Sequence, residues 1–291
     1  MDSGFWILQF LNAVQFSMLL FLLSIGLTVI FGLLHFVNLA HGALYMLGAY
    51  IGISVAAASG SFWVALIVAP LIVALIGAAL YITLIDRLRD AGPMNQVLVT
   101  FGLIFVFLDL VRIGWGDVAL GLSAPEALSG TSRILGVQYP SYRLFVIILG
   151  LAVMAGLLIT LARTRIGAMI RASVENGDMA AALGINVGRL FFIVFCVGCV
   201  LAGLAGVVAA PVASATTGMG ISILIPTLIV VVIGGLGSLQ GAIAGSLIVG
   251  FIETFGAVLV PGFAAIVTYV LLAAVLVARP QGLLPARGGE Q

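Results

Sequence analysis

The chain has no lysine; all eleven of its basic residues are arginines. A Walker-type nucleotide site needs a lysine ammonium on the terminal phosphates. ATP hydrolysis by that route is therefore excluded, and so is a pump built on a lysine Schiff base, so energy for directional work must come from a partner or a gradient. Charge of either sign is scarce, at 7% of residues with a net charge of +1. No basic patch is interleaved with aromatics, which removes nucleic acid as a partner. Histidine and cysteine number two each. His35 and His41 have no Glu or Cys at metal-ligand spacing, and they read as partners for backbone freed at a helix break. Cys196 and Cys199 share a helix face without further ligands and read as small packing residues. No metal or other cofactor is expected. Gly114-Trp115-Gly116-Asp117 matches the G-x-G-D of intramembrane aspartyl proteases, whose chemistry needs two carboxylates sharing a proton. The nearest acid, Asp109, lies eight residues earlier, and Asp117 falls past the end of its span, so no catalytic activity is expected.

What remains is apolar. Hydrophobic residues make up 63% of the chain and the mean hydropathy is +1.35. The fold class is an all-α polytopic membrane protein, one transmembrane domain over residues 1–291. At about 20 residues per span it holds about eight to nine segments, some broken or re-entrant. The first run, residues 5–34, is too long for a signal peptide and has no basic residue before it. It reads as an uncleaved span with its N-terminus outside. Residues 43–58 follow, with Gly48 and Gly52 spaced for close helix packing in lipid, and then residues 62–85, closed by Asp86, Arg87, Arg89 and Asp90. Residues 96–112 and 144–161 flank a polar loop with turn residues Gly121, Pro125, Gly130 and Pro140. Residues 190–210 end at Pro211. Residues 221–233 are short enough for a half-span, and residues 242–260 and 263–278 complete the set. By alternation, eight of the eleven arginines (87, 89, 163, 165, 171, 189, 279 and 287) fall on one side. The positive-inside rule makes that side cytoplasmic, although Arg133 and Arg143 lie on the other.

The one long polar stretch is residues 163–189, in which residues 168–182 read as a short surface helix ended by Gly184. Its small residues form a peg for a groove in another protein. Two interruptions resemble each other: residues 38–44, with Asn38, His41 and Gly42, and residues 238–243, with Ser238 and Gln240, the latter overlapping a break at residues 234–241 that also holds Gly235 and Gly237. Paired Gly-interrupted segments in two halves of a membrane protein point to a transport path, and two ordinary polar turns are the alternative. Asp109 and Arg112, three apart on one helix, read as a neutralising pair. Glu253 is the sole acid of the last apolar runs. A mid-span charge costs about 2.5–3.5 kcal/mol, so it must face protein or water, as a tie to another helix or a gate on the path.

Four stretches resemble the LivH-type permease of branched-chain amino acid ABC importers: FGLLHFVNLAHGALYMLGAY (31–50), TRIGAMIRASVENGDMAAALGINV (164–187), GGLGSLQGAIAGSLIVG (234–250) and RPQGL (279–283). The resemblance spans nearly the whole chain. It implies a permease subunit in the bacterial inner membrane that moves branched-chain or related amino acids. The implied partners are a second, LivM-like permease, two cytoplasmic LivG/LivF-like ATP-binding subunits and a solute-binding protein, with lipid around the spans. Such permeases dock their ATPases through a loop resembling E-A-A-x3-G. Here Asp178 and Gly184 keep the acid and glycine, Met179 replaces the first alanine, and the downstream Leu-Pro is absent. The implied coupling residues are Arg171, Glu175, Asp178, Ala180, Ala181 and Gly184, with the three charged side chains paired at the rim. The path residues expected from the two interruptions and the mid-span acid are Asn38, His41, Gly42, Gly235, Gly237, Ser238, Gln240 and Glu253. A permease of the same family for urea or short amides is one alternative, and a self-contained secondary transporter or channel is another. The latter would want more intramembrane ionisable residues than this chain offers.

Overall fold

Lipid offers no hydrogen-bond partner to a bare backbone, so each apolar run closes its own bonds as a helix. The computed structural model describes residues 3–34, 36–89 and 91–284; His35, Asp90 and Arg287 lie outside the described residues. The helices are α1 (Ser3–Leu34), α2 (His41–Ser59), α3 (Phe62–Leu80), the one-turn α4 (Asp86–Leu88), α5 (Pro93–Trp115), α6 (Ser141–Arg163), α7 (Arg165–Glu175), α8 (Gly177–Ala182), α9 (Val187–Ala209), α10 (Met219–Gly234), α11 (Leu239–Leu259) and α12 (Ala264–Ala278). A π-helical turn, Tyr81–Ile85, joins α3 to α4. Among the described residues seven helices are long and apolar enough to cross a membrane, α3 and α4 counting as one, and Met219–Gly234 and Ile266–Ala278 are shorter apolar helices.

α1 runs from the upper end of the bundle to the lower and is its axis: 83% of its most apolar window is buried, against 17% for α6. It packs along α11 and α9, and α2, α3 and α9 form a second layer beside it. Glycines set these approaches. A Cβ on Gly48 of α2 would lie 2.6 Å from the Gly203 Cα of α9, so the two backbones touch as small-residue packing allows. Gly77 of α3 faces the Cys199 Sγ, which confirms that cysteine as a packing residue.

The first interruption is a re-entrant strand of chain. After α1 ends at Leu34, residues 36–40 are non-helical, and α2 begins where His41 Nε2 bonds the Leu23 carbonyl at 3.1 Å. Leu23 lies eleven residues before the end of α1, so α2 starts about 16 Å above the lower end of the bundle. The freed backbone is taken up by α5, where Thr100 Oγ1 accepts from the Leu39 N–H at 3.2 Å. A non-helical turn, residues 210–218, leads from α9 into α10. An isolated bridge pairs Leu120 with Ala215, Tyr50 donates to the Ala215 carbonyl at 3.4 Å, and Thr217 donates to Asp117 at 2.7 Å. The polar loop at the upper end thus clamps this turn from above.

That loop also holds the two strands found among the described residues, β1 (Thr131–Ile134) and β2 (Val137–Pro140), paired antiparallel. Leu135 and Gly136 between them both take positive φ, the geometry of a tight primed turn. The hairpin is fastened to α1: Asn12 Oδ1 accepts from Tyr139 at 3.2 Å and from Arg143 at 2.6 Å. Burial raises the Tyr139 phenol pKa against the opposing pull of Arg143, which keeps it a donor. Arg112 reaches Asp109 at 3.7 Å, as expected, and Asp117 at 3.5 Å.

Two sequence expectations change. The single surface helix over residues 168–182 is two helices, broken at Asn176, whose backbone is extended (φ −157°, ψ 99°) and whose side chain caps α8 by accepting from the Met179 N–H at 2.9 Å. Asparagine followed by glycine favours a cap over helix continuation. The loop at residues 114–142 is likewise not wholly irregular, because of the hairpin.

Candidate functional site

A cavity of about 540 Å³ opens between α1, α10, α11 and α12 and the turn at 210–218. Phe16, Leu19, Ile223 and Ile229 give it an apolar wall, and Gln15, Ser214, Thr216, Ser222, Glu253 and Thr268 supply polar groups. Its size and mixture are those of a small-molecule site: mostly apolar with a few placed polar atoms. α10 shapes it through Pro226, which lacks an N–H and so leaves the carbonyl four residues earlier, at Ser222, without its helical partner. Both residues line the cavity. Backbone freed inside a membrane helix persists where it faces protein or a water-filled space. Glu253 accepts a hydrogen bond from Thr268 of α12 at 2.8 Å, which ties α11 to α12 and leaves the carboxylate further acceptor capacity. Gln15 of α1 is 4% exposed, and its Nε2 has no hydrogen-bond partner.

Of the eight path residues, Glu253 lines this cavity. The other seven sit at the two chain breaks. His41, the first residue of α2, is wholly buried against α1; because a carbonyl only accepts, its Nε2 is the protonated nitrogen. Asn38 is buried beside it with Oδ1 unpartnered. Gly42 meets the Gly220 backbone at the start of α10, close to the cavity, and Gly237 meets Gly32 of α1. Ser238 caps α11 by accepting from the Gly241 N–H at 3.0 Å, and Gly235 packs on Gly282. Gln240 is exposed. After α12, the Leu283 and Leu284 N–H groups bond the Ile233 and Gly234 carbonyls at 2.8 and 3.1 Å. The RPQGL stretch therefore caps the end of α10. Gln15, Ser222, Pro226 and Thr268 went unread in the sequence. The signal for Pro226 was present, a proline inside a run already short for a span.

At the lower end α7 and α8 stand outside the apolar bundle. Thr164 caps α7 by accepting from the Gly167 N–H at 3.2 Å. Gly184 takes φ +88° beyond the end of α8, the left-handed residue with which helices commonly stop. Ala181 is exposed, as are Met179 and Leu183, the last at 76%, while Ala180 is 2% exposed and faces inward. Arg171, Glu175 and Asp178 are exposed. Arg171 donates to the Leu161 carbonyl at the end of α6; among the described residues no ion pair joins it to Glu175 or Asp178.

A bundle of seven span-length apolar helices with two shorter ones, breaks between helices and a cavity of small-solute size suits a membrane transport protein. The chain belongs to the family described as branched-chain amino acid transport system, permease component, which it matches over residues 9–278. It is 29% identical over 301 residues to the high-affinity branched-chain amino acid transport system permease protein LivH of Salmonella typhimurium, covering 96% of each chain. The LivH protein of Escherichia coli strain K12 is 28% identical with the same coverage. The BraD permease protein of Pseudomonas aeruginosa is 29% identical, over 95% of this chain and 94% of its own. No solved structure matches the chain.

Proposed function

We propose that this chain is the transmembrane permease subunit of an ATP-binding cassette importer, translocating branched-chain or related amino acids handed over by a solute-binding protein. The observation that carries the reading is the exposure of the apolar residues Met179, Ala181 and Leu183 on and just after the second of two capped helices outside the lipid-facing bundle. Exposed apolar groups on a fixed scaffold mark a partner site, and a chain without a Walker lysine can draw on ATP only through a partner. In this reading the lower end is cytoplasmic in a bacterial inner membrane and the upper end faces the binding protein. A second, LivM-like permease completes the membrane part, and two LivG/LivF-like subunits dock on α7 and α8. The path residues around the two breaks hold the re-entrant segments in place about the cavity.

The test is affinity purification of tagged permease from cells expressing the adjacent transport genes, followed by reconstitution. Co-elution of ATP-binding subunits, with hydrolysis stimulated by loaded binding protein and uptake of L-leucine, is the expected result. A permease that elutes alone yet moves solute down a gradient would overturn it.

A further inference from the structure

We propose that Gln15 and Glu253 form a clamp for the zwitterionic head of an aliphatic α-amino acid, the Gln15 amide N–H on its carboxylate and the Glu253 carboxylate on its ammonium. This rests on the translocation role proposed above and names the substrate contacts within it. Three observations meet here. The first is the orphan donor: Gln15 Nε2 is buried with no partner, yet the residue lines the cavity. A buried donor without a partner is costly to leave unsatisfied, so a ligand acceptor is the natural occupant. The second is the charge. Glu253 holds one neutral partner, Thr268, and among the described residues no Arg or His lines the cavity with it. A carboxylate at membrane depth needs a compensating group, and a solute ammonium supplies one.

The third is register. A Cβ on Gly250 of α11 would lie 2.8 Å from the Ser17 Cα of α1, which fixes these antiparallel helices against each other at that level. Gln15 lies two residues above Ser17 on α1, and Glu253 three residues above Gly250 on α11. At 1.5 Å per residue their Cα atoms differ in height by only about 1.5 Å. A donor and a carboxylate at one level in the wall of one cavity suit the two charges carried by a single carbon. The wall of Leu19, Ile223 and Ile229 then receives the aliphatic side chain. Urea, lacking both charges, would leave the Glu253 charge uncompensated.

The experiment uses the complete importer in proteoliposomes, with two variants close to the native side chains in length, Glu253→Gln and Gln15→Met. Each should lower L-leucine uptake at least ~ten-fold, the effect of one lost charge-assisted hydrogen bond, while hydrolysis stimulated by the binding protein persists. A second measurement is independent of those variants: a Ser214→Cys permease, with Cys196 and Cys199 replaced by alanine, reports the cavity through alkylation by a small thiol reagent. L-Leucine should slow that reaction, whereas 4-methylpentanoate, which lacks the ammonium, and 3-methylbutylamine, which lacks the carboxylate, should not at the same concentration. Equal protection by all three, or uptake within two-fold of the unsubstituted importer in both variants, overturns the clamp and leaves the importer reading standing. If the unsubstituted importer carries urea or a short amide and no α-amino acid, the substrate reading falls and the clamp with it. Should either variant fail to assemble, the alkylation comparison decides alone.

Discussion

Gly237 is where the second chain break touches α1, and replacing it by alanine combines two separable costs. Its φ is +78°, a left-handed conformation that costs an L-residue about 1–2 kcal/mol. An added Cβ would also stand 2.7 Å from the Gly32 Cα, and forcing a methyl into a packed contact costs about 1–3 kcal/mol. The sum is about 2–5 kcal/mol. The reciprocal change, Gly32→Ala, meets the same gap, its Cβ lying 2.6 Å from the Gly237 Cα. Gly32 is helical, however, so it carries no φ penalty and gains about 1 kcal/mol of helix propensity. Its net cost is about 0–2 kcal/mol. Gly237→Ala should therefore destabilise more than Gly32→Ala by about 2–3 kcal/mol, read as unfolding free energy of the purified permease titrated with sodium dodecyl sulfate in mixed micelles. Gly237→Leu should go further and abolish substrate uptake, because spreading α1 from α11 disturbs the register on which the cavity depends. Equal costs for the two alanine variants, or a smaller cost at Gly237, would refute the reasoning from backbone conformation.

At the lower surface, Ala181→Arg should remove ATP-binding subunits from purified permease while protein level holds, and Ala180→Arg, buried where Ala181 is exposed, should instead lower the protein level; retention of ATPase by the Ala181 variant would make α8 a mere connector. Single cysteines at Arg133 and Asp178 should react with an impermeant thiol reagent from opposite faces of the membrane, and labelling from one face would reverse half of the topology. Asn12→Leu leaves the Tyr139 hydroxyl and the Arg143 guanidinium without the acceptor they share. It should cost about 1–3 kcal/mol in the same titration, and a neutral result would detach the hairpin from α1. His41→Gln is the milder probe of the first break: glutamine can still donate to the Leu23 carbonyl, so retained uptake would fix the role of His41 as structural.

The parts legible in the sequence are those set by local chemistry. Every apolar run became a helix, because lipid leaves the backbone no other course, and the short run before Gly234 became α10, which at 16 residues is longer than the run yet short of a full span. Gly184 stands beyond the last turn of α8 because its φ is one that glycine adopts freely. The break within the central polar stretch was written in Asn176-Gly177 and missed, since the helical spacing on either side continues through it. The hairpin was missed for the opposite reason. Its turn is Leu135-Gly136, with leucine at φ 48° where Asn or Asp is the usual signal, and its strands are four residues each. Arg143, which looked like an exception to the charge rule, is spent on Asn12 of α1, a pairing across 131 residues of chain that no local pattern carries.

The cavity was the least legible feature because it depends on helix register. Gln15, Glu253 and Thr268 are each a polar residue in an apolar run, and such a residue reads equally well as a tie between helices or as part of a site. What decides is which residues stand level across the bundle. The glycines that fix those levels are visible in the sequence, but their partners are not: Gly32 meets Gly237, and Gly250 meets Ser17. The sequence therefore pointed to the broken segments, where its signal was densest. Seven of the residues named there lie outside the cavity lining, while Gln15 and Glu253, which line it, come from helices more than two hundred residues apart in the chain. Glu253 was singled out in both, because a carboxylate within an apolar span demands an explanation wherever it lies.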